Sequence, residues 1–153
     1  MALRMVDPTR EVGRAWLALC FALALHVVEE AASGFLAVYN PTVVAIRKTL
    51  PWLPLPVFRF EIWLAGLVAV IIALFSLSPL VFRGARGTRA AGYVFAGLMA
   101  ANAVGHMIGT AFGKTVETVV FSRPMPGFYS SPILLAASMN LLFRLRSSRA
   151  ERA

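Results

Sequence analysis

Both histidines of the 153-residue chain, His26 and His106, lie inside long apolar runs, and so do Glu29 and Glu30. On a helix, residues three and four apart are neighbours. His26 therefore sits over both glutamates, and His26, Glu29, Glu30 and Ser33 form one polar face. Ala24, Val28 and Phe35 make the opposite, apolar side. Asn102 and His106 are four apart and stack in the same way. An acid near the centre of a membrane span costs roughly 2.5–3.5 kcal/mol by insertion scales, so such groups face a bundle interior or wet cavity and mark function. Hydrogen bonds between helices return less than about 1 kcal/mol each in a bilayer. That is poor compensation for three ionisable groups within one helix turn, which favours a site over polar glue.

Imidazole with carboxylate suits zinc, iron or manganese. In soluble four-helix bundles, Glu-x-x-His pairs project inward to hold two metals. Here the order is reversed, His-x-x-Glu-Glu, with the same spacing. The expected ligands are His26, Glu29, Glu30 and His106, around a divalent metal that activates water or oxygen. Glu29, Glu30 and Asn102 are the candidates for catalytic groups, and Glu61 is secondary. The same residues also suit metal-free chemistry. The paired glutamates would titrate as a coupled unit and pass protons with His26, as in a lipid isomerase or cyclase. A small transporter, ion-binding protein or partner subunit is the non-enzymatic alternative. Arg123 with Tyr129 is a secondary candidate for holding a headgroup or carboxylate. Glu117, between Lys114 and Arg123, reads as a solvated charge.

Composition sets the medium. The chain is 59% hydrophobic and 14% charged, against roughly 45–50% and about 25% in soluble domains. That excludes a soluble enzyme, a disordered tail and a disulfide scaffold. The single cysteine, Cys20, can form no internal bridge and reads as packing. The net charge of +8 has no nucleic-acid motif beside it, so no nucleic-acid partner is expected. There is no dinucleotide or phosphate-binding glycine pattern, and no His-Glu-x-x-His motif. The expected partners are membrane lipid and a lipid-like, hydrophobic small molecule. The Gly-rich run around Gly105 and Gly109 also permits a homodimer.

The elements that must position these residues follow from length. A span needs about 20 mainly apolar residues. Four windows qualify, near 15–38, 60–82, 90–112 and 128–143, the first read as a span and not a cleavable signal. The predicted fold is an all-α integral membrane protein: one transmembrane domain over 1–153, built as a four-transmembrane-helix bundle. Ten of the fifteen basic residues share one side: Arg4, Arg10, Arg14, Arg83, Arg86, Arg89, Arg144, Arg146, Arg149 and Arg152. Arg47, Lys48, Arg59, Lys114 and Arg123 lie on the other. The positive-inside rule then puts both termini in the cytoplasm. The two outer loops are long and apolar and read either as a lid or as packing between helix ends. Pro41, Pro51, Pro54 and Pro56 should prevent a continuous helix in the first, though Val43, Val44, Ile46 and Leu50 can still form a short interfacial one. Pro124, Pro126 and Gly127 signal a turn before the last span. Trp16, Trp52 and Trp63 fit interfacial anchors. With these directions, Glu29, Glu30 and His106 lie in the outer half, Asn102 near the middle and Glu61 at the outer rim, so three helices place polar groups at similar depth toward the outer side, under the loops.

The segment HVVEE, His26 to Glu30, resembles the HXXEE family of small bacterial membrane proteins, which share a His-x-x-Glu-Glu motif in their first span. The resemblance implies a multi-pass protein of a bacterial inner membrane whose family is defined by that cluster. It implies no substrate. Acids on early helices with Asn or His on later ones are also similar in placement to the sterol-isomerase-like membrane fold, without a shared motif.

Overall fold

A computed structural model describes residues 7–150. Arg4 and Arg152 lie outside them, as does the side chain of Arg149. Helix α1 runs Pro8–Ser33. Asp7 caps it by accepting the Thr9 backbone N–H at 2.9 Å, with Pro8 in the first turn, where its missing donor costs nothing. That Thr9 hydrogen bond holds the exposed Asp7 carboxyl below its ordinary pKa. The helix stops earlier than the expected span 15–38. Gly34 takes the left-handed conformation (φ 76°), and its N–H donates back to the Glu30 carbonyl, a glycine C-cap.

The chain restarts as α2, Leu36–Thr49, with Pro41 inside it. The segment up to Phe60 is thus not one continuous helix, and the short helix expected around Val43, Val44 and Ile46 forms but starts earlier than expected, taking in Pro41. Pro41 lies near the start, where it deletes one backbone donor, and only the later prolines, from Pro51, end the helix. Asn40 ties the following segment down. Its Nδ2 donates to the Phe58 carbonyl and its Oδ1 accepts the Phe58 N–H, at 2.9 and 3.0 Å. Helix α3 spans Phe60–Phe82 and α4 spans Thr88–Phe112. A small antiparallel hairpin follows, β1 Lys114–Val116 and β2 Val119–Val120. Helix α5 covers Ser131–Ala150.

Helix α5 packs against both α1 and α4, and α1 against α3, whereas α4 touches α1 and α3 only lightly. The core joins Leu19, Cys20 and Leu23 of α1 to Ala96 and Ala103 of α4 and to Leu134 and Leu141 of α5. Trp16 belongs to this core at 1% exposure, donates its indole N–H to the Leu74 carbonyl at 3.0 Å, and meets Phe95 edge-on. It is not an interfacial anchor: its one polar atom finds a partner inside the bundle. At the chain-terminal end of the bundle, Arg144 pairs with Glu11 at 3.5 Å, and Arg89 donates to the Leu145 carbonyl at 2.6 Å.

Three helices, α1, α3 and α4, are long and apolar enough to cross a membrane, with mean hydropathies of 1.6, 2.5 and 1.3. Phe21, Ile62, Ile72, Leu98 and Phe112 lie exposed on their outsides, an arrangement suited to lipid and not to water. Helix α5 falls outside this set. Asn140, Arg144 and Arg146 interrupt its second half, and the apolar stretch from Pro132 to Phe143 rises only about 18 Å, short of the ~30 Å hydrocarbon core.

Candidate metal centre

Three of the residues singled out by sequence meet between α1 and α4, at the end carrying α2 and the hairpin. His26, Glu30 and His106 are 0%, 4% and 2% exposed. Glu30 Oε1 stands 3.1 Å from His106 Nε2 and 3.5 Å from His26 Nε2. The two imidazoles meet edge to face with centroids 4.8 Å apart. One ligand atom from each residue lies within 4.8 Å of the others, so the group can hold a metal ion. Ligands at the roughly 2.0–2.1 Å bonds of tetrahedral zinc stand about 3.3 Å apart. The two Glu30 distances bracket that value.

The surroundings orient His26. Its Nδ1 lies 2.8 Å from Ser130 Oγ, and Ser130 Oγ donates weakly to the Gly127 carbonyl at 3.4 Å. With Nδ1–H turned to Ser130, Nε2 presents its lone pair to the centre, the arrangement that fixes tautomer and ring plane in metal sites. Asn102 Nδ2 lies 3.3 Å from the same Nε2, so Asn102 borders the centre, as its spacing to His106 suggested. Phe35 packs on the His106 ring at 5.5 Å and on Trp63 at 5.9 Å. His106 Nδ1 is buried with no hydrogen-bond partner among the described residues.

Glu29 goes elsewhere. It is half-buried, and its two oxygens accept the backbone N–H groups of Tyr129 and Ser130 at 2.9 and 2.6 Å. A carboxylate across those N–H groups caps α5 from a different helix and sits at the positive end of its dipole. The adjacent glutamates thus split their work because successive helical residues point about 100° apart. Glu61 is exposed, with only Arg59 beside it at 3.9 Å, and stays out of the cluster. Arg123 and Tyr129 are exposed as well, and Tyr129 takes part through its backbone. Glu117 pairs with Lys114 at 2.7 Å on the surface.

No family model, curated protein or solved structure matches the chain.

Ser130 escaped the sequence reading, and Gly127, expected as part of a turn, was not placed at the site. Gly127 has φ 88° and lies against both rings. A Cβ there would come within 2.8 Å of His106 Cε1 and 2.9 Å of His26 Cε1. The available signal was the segment PMPGFYSSP, a Pro-Gly turn followed by serines and a proline, which is how a helix start is written. That segment delivers Ser130 to His26 and backbone donors to Glu29.

Proposed function

We propose that this chain is a membrane enzyme in which His26, Glu30 and His106 hold one divalent metal, acting on a hydrophobic, lipid-like substrate. The observation that carries the reading is the buried convergence of two imidazole nitrogens on one carboxylate oxygen. Two imidazoles and one carboxylate with positions left open is the ligand set of a catalytic centre, not a closed structural one. A metal bound there would supply Lewis acidity and lower the pKa of a bound water. Zinc, iron and manganese all suit this donor set. Glu30 offsets the metal's charge, Ser130 holds the His26 ring, and Asn102 orients a ligand at the open side.

The membrane arrangement belongs to the same proposal. Helices α1, α3 and α4 cross a bacterial inner membrane, and α5 completes a four-helix bundle by snorkelling Arg144 and Arg146 to the cytoplasmic surface. Arg10, Arg14, Arg83, Arg86 and Arg89 share that side, which places both termini in the cytoplasm and the metal centre in the outer half. The His-Val-Val-Glu-Glu segment supports membership of the HXXEE family, and the exposed α4 face leaves room for a homodimer.

Titration of purified protein with Co2+ tests the ligand set. The expected result is a visible ligand-field band saturating at one equivalent, absent from His106→Ala. Binding unchanged in that variant overturns it. A second reading is supported by the 3.1 Å contact of Glu30 with His106, which can carry a proton with no metal. An acid–base isomerase or cyclase of this kind keeps its activity under chelation and loses it in Glu30→Gln.

A further inference from the structure

Beside the cluster lies a cleft of about 440 Å³. Ala101, Gly105 and Ile108 of α4 form one wall, with Phe35 and Met125 facing them. Asn102 and His106 also line it, so it adjoins the candidate metal centre. Lys114 and Thr115 line it too, just past the end of α4 at Phe112. The cleft follows from the packing: α4 leans on α5 and barely touches α1. Gly105 is exposed, and a Cβ added there meets nothing within 4 Å, so the wall is open at this point. Lipid-facing Leu98, Val104 and Ile108 flank it.

We infer that this cleft takes the single chain of an anionic lipid, of the fatty-acid type, entering sideways from the bilayer. The volume lies in the roughly 300–1,000 Å³ range of small-molecule sites, which suits one chain and not a two-chain phospholipid. Three features select the occupant. The walls are apolar. Among the described residues, the one cation lining the cleft is Lys114, at the end where a headgroup would meet water. Its partner Glu117 is 87% exposed, and such surface pairs contribute little and exchange readily, leaving the ammonium able to take an anionic head. His106 lies six residues before the end of α4 at Phe112, roughly 9 Å of rise. The lipid's chain, and not its head, therefore comes to rest against Asn102 and His106. The inference rests on the proposed metal enzyme only for what happens to the chain there.

The test is photolabelling of the 153-residue chain in nanodiscs with palmitic acid carrying a mid-chain diazirine, and with the methyl ester of the same probe. The expected adducts fall on the Ala101–Gly109 face of α4 and on Phe35, with the acid labelling several-fold more than the ester. Gly105→Phe should cut cleft labelling about tenfold while one equivalent of Co2+ still binds, and Lys114→Gln should erase the preference for the acid. Adducts spread over the exposed face of α3, or cleft labelling unchanged in Gly105→Phe, overturn the inference. Cleft labelling in a protein that binds no metal leaves the lipid site standing and removes the metal reading alone.

Discussion

Glu29→Gln and Glu30→Gln, one residue apart, are expected to fail in opposite ways. In Glu29→Gln the α5 cap is damaged. One of the two backbone donors, at 2.9 and 2.6 Å, then faces an amide N–H₂ in place of an oxygen. Hydrogen bonds to a charged group contribute about 1.5–3 kcal/mol, and the charge at the helix start adds up to ~1 kcal/mol. A loss of about 2 kcal/mol follows, or a fall of roughly 4–8 °C in Tm for a chain of this size. Metal is still bound, weakened about tenfold because Ser130 shifts under His26. In Glu30→Gln the fold changes less, because the amide is an isostere whose oxygen can still accept the His106 ring N–H across the 3.1 Å contact. Metal affinity should fall a hundredfold or more, because the only carboxylate in the group is gone. Thermal unfolding in detergent and a Co2+ titration, run on both variants, separate the two roles. Equal loss of metal in both would mean that Glu29 is a ligand.

The second large effect is expected at Gly127. Gly127→Ala puts a Cβ on a residue at φ 88°, with His106 and His26 carbons 2.8 and 2.9 Å away. A left-handed conformation costs a non-glycine residue about 1–2 kcal/mol, and crowding in a packed interior costs typically 1–3 more. The sum is about 3 kcal/mol, or roughly 6–12 °C in Tm. The imidazoles can yield only by moving off the centre, so metal affinity falls at least tenfold as well. Gly105→Ala is the matched control, because its Cβ meets nothing within 4 Å; it should leave Co2+ affinity where it was and, as alanine is the better helix residue, not lower the Tm. An unchanged Tm and Co2+ affinity in Gly127→Ala would show that the turn is not packed on the histidines.

How much of this was legible in the sequence depended on the scale of the signal. The predicted span 60–82 coincides with α3, Phe60–Phe82, because unbroken hydropathy bounded by Arg59 and Arg83 leaves little choice. His26, Glu30 and His106 were legible for a related reason: ionisable groups inside apolar runs are rare enough to be conspicuous. The end of α1 was not, since Gly34 sits in a run whose hydropathy continues past it, and the decision rests on one backbone dihedral. Glu29 was assigned to the metal because spacing says which residues share a face, not which partner arrives at that face. Its partner is a turn 100 residues away, and no local pattern carries that information. The same holds for Ser130 and Trp16, whose roles depend on which helices pack together.

Elemental analysis asks directly whether His26, Glu30 and His106 hold a metal. The protein is purified without chelators, its affinity tag is removed, and zinc, iron and manganese are counted per chain. Close to one equivalent is expected in the native protein and almost none in His26→Ala. Native protein that is metal-free by this measure and stays so after incubation with each ion, or a His26→Ala variant that keeps its metal, would contradict it.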